Sequence, residues 1–273
     1  MFDPELLSHR KPSAILGVGR SGTTLVLSVL QKIKGVFTLF EPFAPLQNRN
    51  RDYRFEENIT PALYEKIIKH SIEKIRDSYW YRRHDSQWQA NVQEKVFRRL
   101  IFKEIRLNFK IDQIITETEK IIVVDRDILP IFLSQMARPT FYNDLGGIEI
   151  YWSKYISQQE KASEIYEHCF TKWRYSKSSL KALIMLIDEQ KKLNFFTDKY
   201  QEKIMRVQYD ELIDEVNWQK ICSFLNEEIE SVTDQIFVPS TTTTLNPSNL
   251  WLSGQKIDRE YLSETIQGIS QSF

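Results

Sequence analysis

Gly17, Gly22 and Thr24 keep the spacing of a phosphate-cradling loop, G-x-x-x-x-G-K-[ST], but Thr23 stands where that loop carries its lysine. The cation comes three residues earlier, as Arg20, in the run Gly19-Arg20-Ser21-Gly22-Thr23-Thr24. A P-loop lysine serves the β/γ-phosphates of a nucleoside triphosphate. A loop that keeps the glycines and hydroxyls but moves the charge points to a different anion. Its flanks suit the task. Ser13–Val18 is a short apolar run expected to form a buried strand, and Leu25, Val26, Val29, Leu30 and Ile33 recur at helical spacing over residues 23–34. Strand, glycine turn and helix together aim backbone N–H groups and a helix N-terminus at one anion. Three of the eight glycines in the chain fall within residues 17–22.

A second group of candidates closes the apolar run Ile121–Asp125: Arg126 at the strand end, and Ser134 eight residues later on a helix expected from about Leu129 to Ala137. Pro130 suits the first turn of that helix. An arginine fork with a hydroxyl nearby can hold a phosphate, although pairing of Arg126 with Asp125 or Asp127 is the structural alternative. Glu41, in Leu39-Phe-Glu-Pro-Phe43, is the candidate general base. Its apolar neighbours are expected to raise its pKa, and a conventional strand order would set it beside the phosphate loop. Pairing with Arg49 or Arg51 is the structural alternative. His9, His70, His84 and His168 are the other candidate bases, His84 foremost, and Lys103 is either a cation for the site or a solvated strand-end lysine.

The elements that must position these residues alternate. Strands are expected at Val36–Phe40, Leu100–Ile105, Lys120–Asp125 and Lys203–Gln208, with helices between them and longer ones over 148–170 and 177–193. Helical patterning also runs from Pro61 to Tyr79, with a polar loop over 44–60 and another over 240–249. The reading is an α/β fold: a P-loop-type parallel sheet flanked by helices, with largely helical insertions, in a single domain over 1–273. Ligands of such sheets bind outside the carboxyl ends of the strands, where Arg20, Glu41 and Arg126 all fall.

Composition narrows the partners. Thirty-seven basic residues balance thirty-seven acidic ones, so no global charge invites nucleic acid or a membrane surface. The apolar runs fall far short of the roughly 20 residues of a membrane span, and the first ten residues lack the apolar core of a signal peptide. A cytoplasmic protein is expected. Cys169 and Cys222 are isolated thiols without metal-ligand spacing. Oligomeric state is not legible.

Arg20-Ser-Gly-Thr-Thr24 after the first strand, followed by a strand-end Arg126 and Ser134, resembles the two cofactor motifs of the PAPS-dependent sulfotransferases. The look is closer to the carbohydrate-type and bacterial branches than to the cytosolic small-molecule ones. In that family the first loop holds the 5′-phosphosulfate end of 3′-phosphoadenosine 5′-phosphosulfate (PAPS), and the second motif holds its 3′-phosphate. The resemblance therefore implies that Gly19, Arg20, Ser21, Gly22, Thr23 and Thr24 serve the first role, and Arg126 and Ser134 the second. It implies PAPS as donor, PAP as product and no required metal. Arg20 would stabilise the leaving phosphate and Glu41 would take the proton of a hydroxyl or amine on a glycan, lipid or small molecule.

Val207-Gln-Tyr-Asp-Glu-Leu212 and Phe224-Leu225 match late family features, with the acidic residues permuted. The cofactor core covers about 13–43, 100–138 and 203–226, with acceptor-side insertions at about 44–99 and 140–200. Tyr79, Trp80, Tyr81, Trp88, Tyr151, Trp152 and Trp173 are candidates to stack on an acceptor, or to pack a core. Departures are Ile128 in place of a frequent proline, arginine in place of the small-molecule branch's lysine, and the absence of that branch's C-terminal Arg-Lys-Gly motif. The competing readings are a P-loop kinase or ATPase, with Asp125 as an imitation Walker B aspartate, and a non-catalytic nucleotide-binding protein of the same fold.

Overall fold

Five short runs rich in Ile, Val, Leu and Phe form one all-parallel sheet, as expected of strands covered on both faces. The strands are β1 (Ser13–Leu16), β2 (Val36–Phe40), β3 (Arg99–Glu104), β4 (Ile121–Asp125) and β5 (Ile204–Gln208), in the order β2-β3-β1-β4-β5. The computed structural model describes residues 11–44, 58–73, 98–136, 147–227, 251–252 and 255–273. These divide into two compact units. The first comprises 11–17, 21–44, 58–73, 98–125 and 193–227, and the second 18–20, 126–136, 147–192 and the described residues from 251 onward.

In the first unit, adjacent residues of β3 show how both sheet faces are covered. Ile101 packs into a cluster with Val26, Leu27 and Leu30 of α1 (Thr23–Leu30) and Trp218 and Ile221 of α8 (Glu215–Phe224). Phe102 points the other way and meets Phe43 and Tyr64 of α2 (Pro61–Glu73), each with ring centroids 6.1 Å from its own. The short α3 (Ile111–Ile114) adds buried Ile111 and Ile114. Beneath the sheet, Arg99 ties Glu227, Glu119 and Ser13 together at 2.9–3.0 Å.

The second unit is mainly helical: α4 (Ile128–Met136), α5 (Gly147–Ile156), α6 (Glu160–Phe170), most of α7 (Lys177–Lys199), the two-residue strands β6 (Trp251–Leu252) and β7 (Gln255–Lys256), and α9 (Arg259–Ser272). Trp152 is buried and stacks on Tyr155, whose hydroxyl donates to Asp188 of α7. Trp173 packs on Tyr175 and Tyr261. Packing therefore accounts for both tryptophans.

Several boundaries differ from expectation. The helix after the loop ends at Leu30 rather than residue 34, since tighter bonds from Lys32 and Ile33 close it before Gly35 reverses the chain at φ 80°. The expected helix over 148–170 is two helices. The Ser157 hydroxyl donates to Lys154 O at 2.7 Å, while Gln158 and Gln159 make three-residue turns that end α5. α7 continues past Leu193 to Lys199 because Phe196 is still buried and Lys199 and Tyr200 both hold Asp112. α9 was not anticipated, although Asp258 caps Tyr261 N–H at 3.0 Å and Leu262 and Ile269 form its buried stripe. Residues 45–57 of the expected loop over 44–60, the expected loop over 240–249, and the patterning beyond Glu73 lie outside the described residues. Among the described residues no helix is long and apolar enough to cross a membrane.

Candidate active site

The loop between β1 and α1 is built around positions that admit no side chain. A Cβ on Gly17 would lie 2.7 Å from Val124 O and 2.5 Å from Ser21 Oγ. Gly22 has φ 107°, and a Cβ there would lie 2.2 Å from the Tyr209 ring. Tyr209 opens the single-turn helix Tyr209–Ile213 after β5, so the late Tyr-Asp-Glu-Leu step packs directly on the loop. Gly22 is the N-cap of α1 and brings no side chain to cap it, and the first helical bonds run from Leu25 and Val26 N–H to Gly22 O. The N–H groups just before them stand at the positive end of the helix, with no acidic residue in its first turn. The Ser21 hydroxyl is fully buried and has no hydrogen-bond partner among the described residues. Thr23 is buried and Thr24 exposed. Asn108, unforeseen from sequence, braces the loop from below by donating to Gly17 O at 3.0 Å.

In the second unit the two sequence motifs meet. Arg20 Nε–H donates to Ser134 Oγ at 3.1 Å across 114 residues of chain, and Arg126 Nη1 donates to Arg20 O at 3.4 Å. Two glutamines missed by the sequence reading hold this group. Gln135 donates to Gly19 O at 2.9 Å, and Gln190 of α7 donates to Arg126 O at 2.8 Å. Arg20 itself has φ 80°.

Glu41 lies at the carboxyl end of β2, but β3 intervenes between β2 and β1, so β2 does not neighbour the loop's own strand. Its carboxylate is engaged at both oxygens: Lys103 Nζ donates to Oε1, and Arg106 Nη1 donates to Oε2 at 2.8 Å. Lys103 is 3% exposed and sits 4.4 Å from the Phe40 ring centre, which rules out a solvated lysine. Glu104, fully buried, accepts from Phe43, Ile105 and Arg106 N–H and from Arg106 Nη1. The expectation of a raised Glu41 pKa is overturned. Burial alone pushes it up, but the Lys103 ammonium and Arg106 guanidinium outweigh burial and hold it below the usual carboxylate value. Burial pushes Glu104 up and Lys103 down. A lowered folded-state pKa makes Glu41 stabilising above its unfolded value, and that contribution is lost as pH falls through the folded value.

Among the described residues, the non-glycine positions with left-handed backbone are Arg20, Glu41 (φ 46°) and Asn226 (φ 55°). At Arg20 and Glu41 this costs about 1–2 kcal/mol, while asparagine adopts it more readily, and such strain concentrates where a side chain must be aimed. Two of the three are the residues that sequence pattern nominated for chemistry.

The remaining candidates separate clearly. Asp125 accepts from Arg206 Nε at 2.9 Å and Gln208 Nε2 at 3.0 Å, so it is committed to β5. His70 and His168 are exposed on α2 and α6. His9, His84, Arg49, Arg51, Tyr79, Trp80, Tyr81 and Trp88 lie outside the described residues. Among the described residues no cluster of three His, Cys, Asp or Glu side chains is placed to hold a metal ion.

No family model and no curated protein matches the chain. Solved structures do. Sulfotransferase STF1 from Mycobacterium tuberculosis H37Rv superposes with a TM-score of 0.51 at 14% identity, over 95% of this chain and 77% of that one. Looser likenesses are the sulfotransferase domain from the curacin biosynthetic pathway (TM-score 0.45, 15% identity, 96% and 97% covered) and sulfotransferase STF9 from Mycobacterium avium (0.46, 10%, 97% and 77%). At these identities the likeness is one of fold.

Proposed function

We propose that the protein is a sulfotransferase that takes a sulfuryl group from PAPS to a hydroxyl or amine of a glycan, lipid or small-molecule acceptor. The observation that carries this reading is the hydrogen-bonded group Ser134–Arg20–Arg126, which joins the two motifs that the family resemblance assigns to the donor's phosphates. The fold shared with STF1 supports it. The loop also fits a phosphate-bearing ligand, through the buried Ser21 hydroxyl, without a hydrogen-bond partner among the described residues, and the side-chain-free approach at Gly22. Gly19, Arg20, Ser21, Gly22, Thr23 and Thr24 would hold the 5′ end of the donor, and Arg126 and Ser134 its 3′-phosphate.

PAPS supplies the sulfuryl group and a 5′-phosphate leaving group. In the transfer, the bond from the acceptor oxygen or nitrogen to sulfur forms as the sulfur–oxygen bond to the 5′-phosphate breaks. The electron pair leaves on the phosphate oxygen, where Arg20 and the loop N–H groups meet it. Glu41 takes the acceptor proton. Its lowered pKa makes it a weak base, which suffices where the transition state is loose and the proton departs late. The low value also keeps it ionised across the neutral range. The engagement of Asp125 by Arg206 and Gln208 of β5 weighs against the kinase reading.

Glu41→Gln keeps the shape and removes the base. Turnover of labelled PAPS is expected to fall about 10²- to 10⁴-fold, with PAP still raising the melting temperature as in the wild type. Unchanged turnover would remove Glu41 from the mechanism.

A further inference from the structure

We propose that Arg106, backed by the buried Glu104, is a positioning residue that fixes the Glu41 carboxylate in one orientation. Arg106 Nη1 spans Glu41 Oε2 at 2.8 Å and Glu104 Oε1 at 3.1 Å. Lys103 holds the other Glu41 oxygen. Glu104 takes the Phe43 N–H at 2.8 Å, and Glu41 N–H donates to Lys103 O at 2.8 Å, so the left-handed turn at Glu41 is pinned to β3 by its backbone as well. Charges alternate along the group: Lys103, Glu41, Arg106, Glu104. Burying four ionisable side chains is a poor way to gain stability, since apolar residues of similar size commonly do as well or better. At the carboxyl end of a parallel sheet, around a residue in a strained backbone, the arrangement serves aim instead. An ammonium supplies charge to such a carboxylate. A planar guanidinium supplies charge and direction.

The inference rests on the transferase reading only for the reaction that Glu41 serves. The described charged groups facing Glu41 are Lys103 and Glu104 of β3 and Arg106 just beyond it. The test uses the full chain as wild type, Arg106→Gln, Arg106→Lys and Glu104→Gln, each checked by its melting curve. If Arg106→Gln does not fold, the other two variants carry the comparison.

The first readout is the carboxyl-carbon NMR titration of Glu41, assigned with Glu41→Gln. The wild-type midpoint is expected below the ordinary carboxylate range, rising in Arg106→Gln and rising less in Arg106→Lys. The second is sulfate release from labelled PAPS with water as acceptor. It is expected to fall up to about 100-fold in Arg106→Gln at a PAPS KM within about twofold, with partial recovery in Arg106→Lys. A Glu41 midpoint that stays put in folded Arg106 variants overturns the proposal, whatever happens to the rate. A midpoint that moves in a protein that neither releases sulfate nor melts higher with PAP leaves the positioning intact and removes the transferase reading.

Discussion

Replacing Arg20 by glycine is expected to cut sulfuryl transfer about 10²- to 10³-fold while leaving the unliganded fold within about 1 kcal/mol of wild type. The two effects separate because opposing contributions meet at this position. Glycine adopts φ 80° freely, which relieves about 1–2 kcal/mol of left-handed strain. The substitution also forfeits the 3.1 Å hydrogen bond from Arg20 Nε to Ser134, a loss of about 0.5–1.5 kcal/mol. The bond from Arg126 to Arg20 O survives, since its acceptor is backbone. Turnover has no such compensation: the guanidinium proposed to meet the leaving phosphate is gone. Urea denaturation and labelled-PAPS turnover measure the two halves. A variant that keeps its activity would take the leaving-group role from Arg20, and one that unfolds would make the residue structural.

Gly22→Ala is expected to be strongly destabilising. A side chain at φ 107° is strained whatever the space, and here the space is filled, with Tyr209 ring carbons at 2.2 and 2.6 Å from the added Cβ. Strain of about 1–2 kcal/mol and overpacking of about 1–3 kcal/mol together predict a loss of about 2–5 kcal/mol. PAP binding should vanish with it, because the same shift moves the N-terminus of α1. Gly22→Ala should cost less in a Tyr209→Ala background than in the wild type, because the overpacking part is relieved and the strain remains. An equal cost in both backgrounds would mean that Tyr209 does not press on the loop.

Much of this was legible in the chain. The five strands are short runs bounded by charge or turn residues, and β4, Ile-Ile-Val-Val-Asp, declares itself by composition. Gly17, Arg20, Gly22, Arg126 and Ser134 stood out by the spacing of glycine, arginine and hydroxyl, and the structure brings Arg20, Arg126 and Ser134 into one hydrogen-bonded group. The surroundings of Glu41 were not. Its apolar neighbours in sequence suggested a desolvated, weakly acidic carboxyl, but its partners come from β3, some sixty residues later. Spacing along the chain carries no trace of that pairing. One clue was present: a buried strand that ends in Lys103 and Glu104 must find counter-charges. Gln135 and Gln190 left less to read, since an amide that braces a carbonyl looks like any other helical glutamine. The break between α5 and α6 turned on one serine competing for a carbonyl.

The most direct test of the account is the melting temperature of the wild type and of Arg126→Ala, each with PAP alone and with ATP plus magnesium. At about 100 times its dissociation constant a native-state ligand adds about 2.7 kcal/mol, a rise of about 5 °C or more for a chain of this size. The account predicts that rise with PAP in the wild type and its loss in Arg126→Ala. A rise with ATP plus magnesium and none with PAP would contradict it.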